Sequence, residues 1–247
     1  MSVFVLKIIA AATMVVDHFG AAVYLHFMEG LPHELAAYEA MRLVGRIAFP
    51  IYAYLIAQGC VHTKNIGRYL LRLGFLALVS EVFFDLAFME QRSGINFVRD
   101  TNIFYTLFFA VAAIGLYEKA KQKAKNIGGY GQFFLAVLAA VPAMIGPVVL
   151  TSDYGFLGVF LIFLIYIMDA ENRTARAVAM TAGLCLIYFP ATASGRINIY
   201  FAFAMIAVAC VFFYNGKPGP RHAAVKWGFY AFYPVHIAVL VGLRFFL

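Results

Sequence analysis

The stretch VFVLKIIAAATMVVDHFGAAVYLHF, residues 3–27, carries a full charge only at Lys7 and Asp17. About 20 apolar residues make one helical crossing of a bilayer, so this run reads as a transmembrane helix. The apolar run continues past Asp17-His18 to about Phe27 with no small-residue cleavage site after it, which separates it from a signal peptide. Similar runs recur along the chain at roughly 44–60, 70–89, 102–117, 127–149, 154–168, 177–193, 198–214 and 227–246. Composition agrees: 64% of the 247 residues are hydrophobic and 13% charged, against about 45–50% and about 25% in soluble domains. The fold class is therefore all-α, a polytopic helical membrane bundle of about nine transmembrane helices, with 1–247 as a single domain. The segment at 154–168 is short, and Pro147 and Asp153 interrupt what would otherwise be one long run, so a broken or re-entrant helix is an alternative there.

Charge sets the expected orientation. Thirteen of the nineteen Lys and Arg residues fall at Lys7 and in the connections after every second span. The positive-inside rule puts that side, and with it the N-terminus, in the cytoplasm. This distribution also accounts for the net charge of +7 without nucleic acid, which is excluded as a partner; membrane lipids are the expected surroundings. The outer connection at about 28–43, with Glu29, Glu34 and Glu39, reads as a short interfacial helix. Three cysteines sit singly in apolar runs, and the six histidines lack metal-ligand spacing, so neither a disulfide framework nor a metal site is expected.

Ionisable groups inside spans are costly, and each needs a partner or a function. Asp17 and His18 lie beyond the middle of the first segment, Arg46 opens the second, Glu81 and Asp85 fall late in the third, and His236 is central in the last. With Asn102, Tyr105, Asp153, Tyr154, Arg196 and Asn198 at span ends, most of these groups fall in the outer half of the bilayer. Six spans are thus expected to line one outward polar cavity, with Asp85, Asp153 and Tyr154 as its substrate-facing groups. Asp17 and His18 point about 100° apart on a helix and so need separate partners. Arg42 and Arg46, spaced i,i+4, need an opposing charge, which Asp17 or Asp85 would supply. A guanidinium neutralised in part by such a bridge can still hold a carbonyl or a developing oxyanion. His18 is the first choice for a general base, because a neutral imidazole can take a proton from an attacking amine or hydroxyl. On the cytoplasmic side Lys64, Arg68 and Arg72 recur every four residues as a basic stripe, either a dock for an anionic cofactor or topology anchors binding lipid headgroups.

Four motifs in order, MVVDHFG (14–20), GRIAFPIYAYLIAQG (45–59), DYGFLGV (153–159) and FYPVHIAVL (232–240), resemble the TraX family of bacterial membrane proteins. Asp17, His18, Arg46, Pro50, Asp153, Tyr154, Gly155 and His236 carry the match, which covers essentially the whole chain. A fainter similarity extends to integral-membrane acyltransferases that modify sugars, with His18 and Arg46-xxx-Pro50 as counterparts of their histidine and arginine. The resemblance implies a multi-pass protein of the bacterial inner membrane that moves an acetyl group from cytosolic acetyl-CoA to a pilin N-terminus or another outer acceptor. On that reading His18, Asp17 and Arg46 are catalytic, Lys64, Arg68 and Arg72 meet the CoA phosphates, and Tyr233 and His236 line the acyl or pantetheine channel. The rival expectation is a small proton-coupled secondary transporter, since carriers also place acids and histidines in spans.

Overall fold

A computed structural model describes residues 1–24, 27, 34–88, 95–168, 172–188, 199–217, 219–220 and 222–246. Among these residues the chain forms ten α-helices and no strand. Helix α1, Val3–Phe19, begins at Ser2, whose hydroxyl accepts the Val5 N–H at 3.3 Å, and runs into a π-helical turn at Gly20–Tyr24. Next come α2 (Glu34–Gly45) and α3 (Ala48–His62), broken at residues 46–47. Pro50 lies in the first turn of α3, where its missing N–H costs the new helix nothing but leaves the Arg46 carbonyl without its i+4 donor. Helix α2 covers the later part of the stretch expected to be a short interfacial helix, 28–43; Glu29 falls outside the described residues, as does the side chain of Glu34.

The remaining helices are α4 (Ile66–Phe88), α5 (Ile103–Lys123), α6 (Gly129–Val149), α7 (Gly155–Ile167), α8 (Arg173–Tyr188), α9 (Ile199–Phe212) and α10 (Ala223–Phe246). The described residues of each of the nine apolar segments fall mainly on one of these helices other than α2. By length and composition, five stretches are fit to cross a membrane: Val3–Tyr24, Leu35–His62, Ile103–Asn126, Gly129–Val149 and Trp227–Phe246. The chain is thus a multi-pass membrane protein.

Helix α3 is the axis of the bundle. It packs on α1, α5, α7, α8 and α9, and Ile51, Ala53, Tyr54 and Ala57 on it are fully buried. The Val3 N–H donates to the Lys217 carbonyl at 2.9 Å, bringing the start of α1 beside the end of α9. That level is called here the Lys7 end, and the opposite level the Asp17 end. The interruption expected around Pro147 and Asp153 is a turn at residues 150–154 that reverses the chain from α6 into α7. Thr151, Tyr154 and Gly155 take positive φ there, and the Asp153 N–H bonds the Thr101 carbonyl at 3.1 Å. Helix α7 is 13 residues long, roughly 20 Å, short of the ~30 Å hydrocarbon core. Asp153 and Tyr154 lie in the turn just before its first residue.

Candidate functional site

A cavity of about 650 Å³ runs through the bundle between α1, α3, α4 and α10. Lys7, Thr63, Tyr69, Arg72 and Tyr230 line it at one level and Asp17, His18, Arg42, Arg46 and Asp153 at the other. Lys7 and His18 are eleven residues apart on α1, which at the helical rise is ~16 Å. The wall between the two levels is apolar and aromatic, with Phe49, Tyr52, Leu73, Phe104 and Tyr233 among its members.

At the Asp17 end, the carboxylate receives both arginines that the i,i+4 spacing had put on one face. Arg42 Nη1 donates to Asp17 Oδ2 at 2.7 Å and Arg46 Nη2 to Oδ1 at 3.4 Å. These side chains retain only 28%, 18% and 15% exposure for Arg42, Arg46 and Asp17 respectively, so the triad is largely withdrawn from solvent. Asp153, at the same level of the cavity, is a second acid within electrostatic reach of the two guanidiniums. Close approach of α2 to α1 depends on Gly45, because a Cβ there would collide with the Asp17 carboxylate. The Arg46 guanidinium also lies 5.7 Å from the Tyr200 ring, within electrostatic reach of Tyr154 and Tyr188, and its Nε donates to the Arg42 carbonyl at 3.0 Å. Tyr154 holds a left-handed backbone, φ 61°, and its ring stacks on Phe49 at 3.7 Å. Gly158, one turn on, leaves room for this packing: a Cβ there would meet Tyr154, Thr106 and Phe49. Above the triad, Tyr200 donates a short hydrogen bond to Glu39, joining α9 to α2.

His18 has the separate partner that its helical phase demanded. Its Nδ1 lies 2.7 Å from Nε2 of His236, and the His236 Nδ1 lies 2.9 Å from the Phe232 carbonyl oxygen. His236 is not in the cavity wall; it sits behind His18, which corrects its expected place along the acyl channel. Tyr233 does line the cavity, edge-on to His18 at 5.8 Å and to Phe104 at 5.0 Å.

The single outward cavity expected from six spans resolves into two polar groups. Asn102 donates from its backbone N–H (3.0 Å) and its side-chain amide (2.5 Å) to Glu81, while Asp85 accepts the Asn96 N–H at 2.5 Å. Asp85 is therefore tied to the connection leading into α5 and is not in the cavity wall, which removes it from the substrate-facing set. Asp153 and Tyr154 remain in that wall; Arg196 and Asn198 lie outside the described residues. Of the basic stripe, only Arg72 reaches the cavity, held 5.7 Å from the Tyr69 ring and 5.6 Å from that of Tyr230, while Lys64 and Arg68 are exposed and not in its wall. The second cation at this mouth is Lys7, 5.1 Å from the Phe229 ring. Sequence reading treated Lys7 only as a topology marker. Its phase with His18, eleven residues or about three turns away, was the available signal.

Apolar helices around a recessed charged and histidine-bearing cavity define a multi-pass membrane protein with an intramembrane polar site. The chain belongs to the TraX protein family, whose model matches residues 2–244. It is 29% identical to the probable fimbrial assembly protein FimC, serogroup H1, of Dichelobacter nodosus, over 256 aligned residues covering 100% of this chain and 97% of that one. No solved structure matches it.

Proposed function

We propose that the protein is a membrane-embedded acetyltransferase that takes the acetyl group of cytosolic acetyl-CoA at the Lys7 end and delivers it to an acceptor amine or hydroxyl at the Asp17 end. The observation that carries this reading is the continuity of the cavity from Lys7 and Arg72 to His18 and Arg46. A cationic, aromatic end suits a phosphate-bearing nucleotide, and the apolar stretch beyond it suits a pantetheine arm. The cavity volume lies within the ~300–1,000 Å³ usual for small-molecule sites. The N-terminus is cytoplasmic in this scheme, with nine crossings of the inner membrane.

In the reaction, His18 takes a proton from the acceptor as its nitrogen or oxygen attacks the thioester carbonyl. Arg46 faces the oxyanion of the tetrahedral intermediate, and Asp17 holds Arg46 and Arg42 in place. Collapse breaks the carbon–sulfur bond, and the thiolate recovers the proton from His18 to leave as the free thiol. With Asp17 committed to the arginines, Asp153 and Tyr154 are the groups left to orient an acceptor. Family membership and the fimbrial-assembly name of the relative favour a pilin N-terminus as that acceptor.

The test is thioester cleavage and acetyl transfer from radiolabelled acetyl-CoA by the protein purified in detergent, with pilin or a pilin N-terminal peptide as acceptor. Wild type is expected to turn over, and His18→Ala to lose at least about 10³-fold while remaining folded. Wild-type rates in His18→Ala end the proposal. A proton-coupled carrier would use the same cavity as a permeation path but has no reason to cleave a thioester. Proton-linked uptake in vesicles without thioester turnover would move the assignment there.

A further inference from the structure

The His18–His236 contact joins side chains 218 positions apart in the sequence, and its geometry fixes where the protons are. A carbonyl oxygen only accepts, so at 2.9 Å from the Phe232 carbonyl the His236 Nδ1 is the protonated nitrogen. A neutral imidazole with a proton on Nδ1 has a bare lone pair on Nε2. That lone pair meets the His18 Nδ1 at 2.7 Å, so His18 Nδ1 must be the donor. The two ring planes differ by 11° and their centroids are 5.0 Å apart, the N–N distance plus the two ring radii. The rings therefore meet edge to edge, with the hydrogen bond in both planes and along the lone pair. The proton on His18 is thus on Nδ1, and its Nε2, at the opposite edge of a ring that borders the cavity, carries the free pair.

Packing holds this arrangement from three sides. Phe232 stacks on His236 at 4.9 Å and 12°, while Phe88 and Tyr233 meet the His18 ring edge-on at 5.3 and 5.8 Å. Asp17, the acid on α1, is committed to two arginines and points to another face of the helix, so among the described residues no carboxylate takes the usual orienting role.

We propose that His236 is a positioning residue that, by accepting the Nδ1 proton of His18 while donating its own to the Phe232 carbonyl, holds His18 in the tautomer whose unprotonated Nε2 faces the cavity. The base strength of His18 toward an acceptor then depends on a residue that touches neither substrate. This rests on the reading of His18 as general base, but the tautomer itself is measurable without any turnover.

The experiment is nitrogen NMR of detergent-solubilised protein labelled with 15N-histidine, the His18 signals being identified by their loss in His18→Ala. Wild type is expected to show His18 protonated at Nδ1 and bare at Nε2. Two polar variants dissect the contact. In His236→Gln the amide oxygen reaches the former position of Nε2 and still accepts from His18. In His236→Asn the shorter amide reaches only the former position of Nδ1. The wild-type tautomer should persist in the Gln variant and give way in the Asn variant to the Nε2-protonated form that predominates for a neutral histidine side chain in water. In acetyl transfer, His236→Asn should lower kcat about 100-fold with KM for acetyl-CoA within about twofold, and His236→Gln should recover kcat to within about tenfold of wild type. His18 protonated at Nε2 in wild type, or a tautomer indifferent to His236→Asn, overturns the proposal, as does wild-type kcat in that variant. The expected tautomer in a protein that never cleaves acetyl-CoA overturns the acetyltransferase reading and leaves the positioning contact standing.

Discussion

Two acidic sites at the Asp17 end of the bundle look alike in the sequence and behave differently in the fold. Asp17 lies in an apolar run and faces two guanidiniums across a cavity. Glu81 and Asp85 also lie in an apolar run, yet they accept N–H groups of Asn102 and Asn96. In the first site the carboxylate is balanced by guanidinium side chains that line the cavity, where a ligand can meet them. In the second the carboxylates are met by main-chain N–H groups and the Asn102 side-chain amide, which belong to the fold. Carboxylates held by backbone N–H groups do structural work, because removing them orphans donors that have no other partner. The cost of an intramembrane acid therefore does not by itself mark a reacting centre. What marks it is a partner that can be shared with a substrate.

The sharpest way to break this contrast is Arg46→Ala. If Arg46 faces the reacting carbonyl, kcat for acetyl transfer should fall about 10²–10³-fold with folding retained through the Arg42–Asp17 pair; an unchanged kcat would place Arg46 with the structural groups. Gly45→Ala comes next. Its Cβ would collide with the Asp17 carboxylate, so stability should drop by about 1–3 kcal/mol, and thermal unfolding in detergent checks this. Glu81→Gln should cost about 1–2 kcal/mol by the same measurement, since the amide oxygen still accepts from Asn102 but without the charge. Transfer per folded molecule should be unchanged in it, and a selective loss of kcat would erase the distinction between the two sites. The smallest effect belongs to the Lys7 end. Arg72→Ala should raise KM for acetyl-CoA about tenfold through loss of one charged contact, whereas Arg68→Ala, outside the cavity wall, should change it less than about twofold.

Much of this was legible from the amino acids, and for definite reasons. Apolar runs of bilayer length fix the helices, because the backbone has few other ways to satisfy its polar groups in lipid. Helical phase separated Asp17 from His18, and the i,i+4 spacing of Arg42 and Arg46 demanded the acid that Asp17 supplies. Phase names a face but not the neighbour that faces it. His236 was thus placed along the channel, when the last helix turns it onto the back of His18. The same limit put Asp85 with Asp153 in one cavity, although the chain between α4 and α5 folds back to take the Asp85 carboxylate at Asn96. It also spread the docking role over three residues of a regular stripe, of which only Arg72 is turned inward. Gly45 opens the motif GRIAFPIYAYLIAQG with no role legible from the sequence, since the space a glycine leaves open becomes meaningful only once its neighbour across the helix pair is known.

The reach of the cavity along α1 also sets the electrical work of a turnover. CoA phosphates bound near Lys7 and Arg72 stay at one level, and on the proposed mechanism only an acyl group travels toward Asp17. As an acylium equivalent moves outward, the acceptor's proton moves inward through His18 to the sulfur. The two displacements carry equal charge in opposite directions, so the exchange is electroneutral. A membrane potential, which acts with about 2.3 kcal/mol per elementary charge per 100 mV, would on that mechanism have almost no purchase on the chemical step, and the proposed transfer would run equally well across an energised or a depolarised membrane.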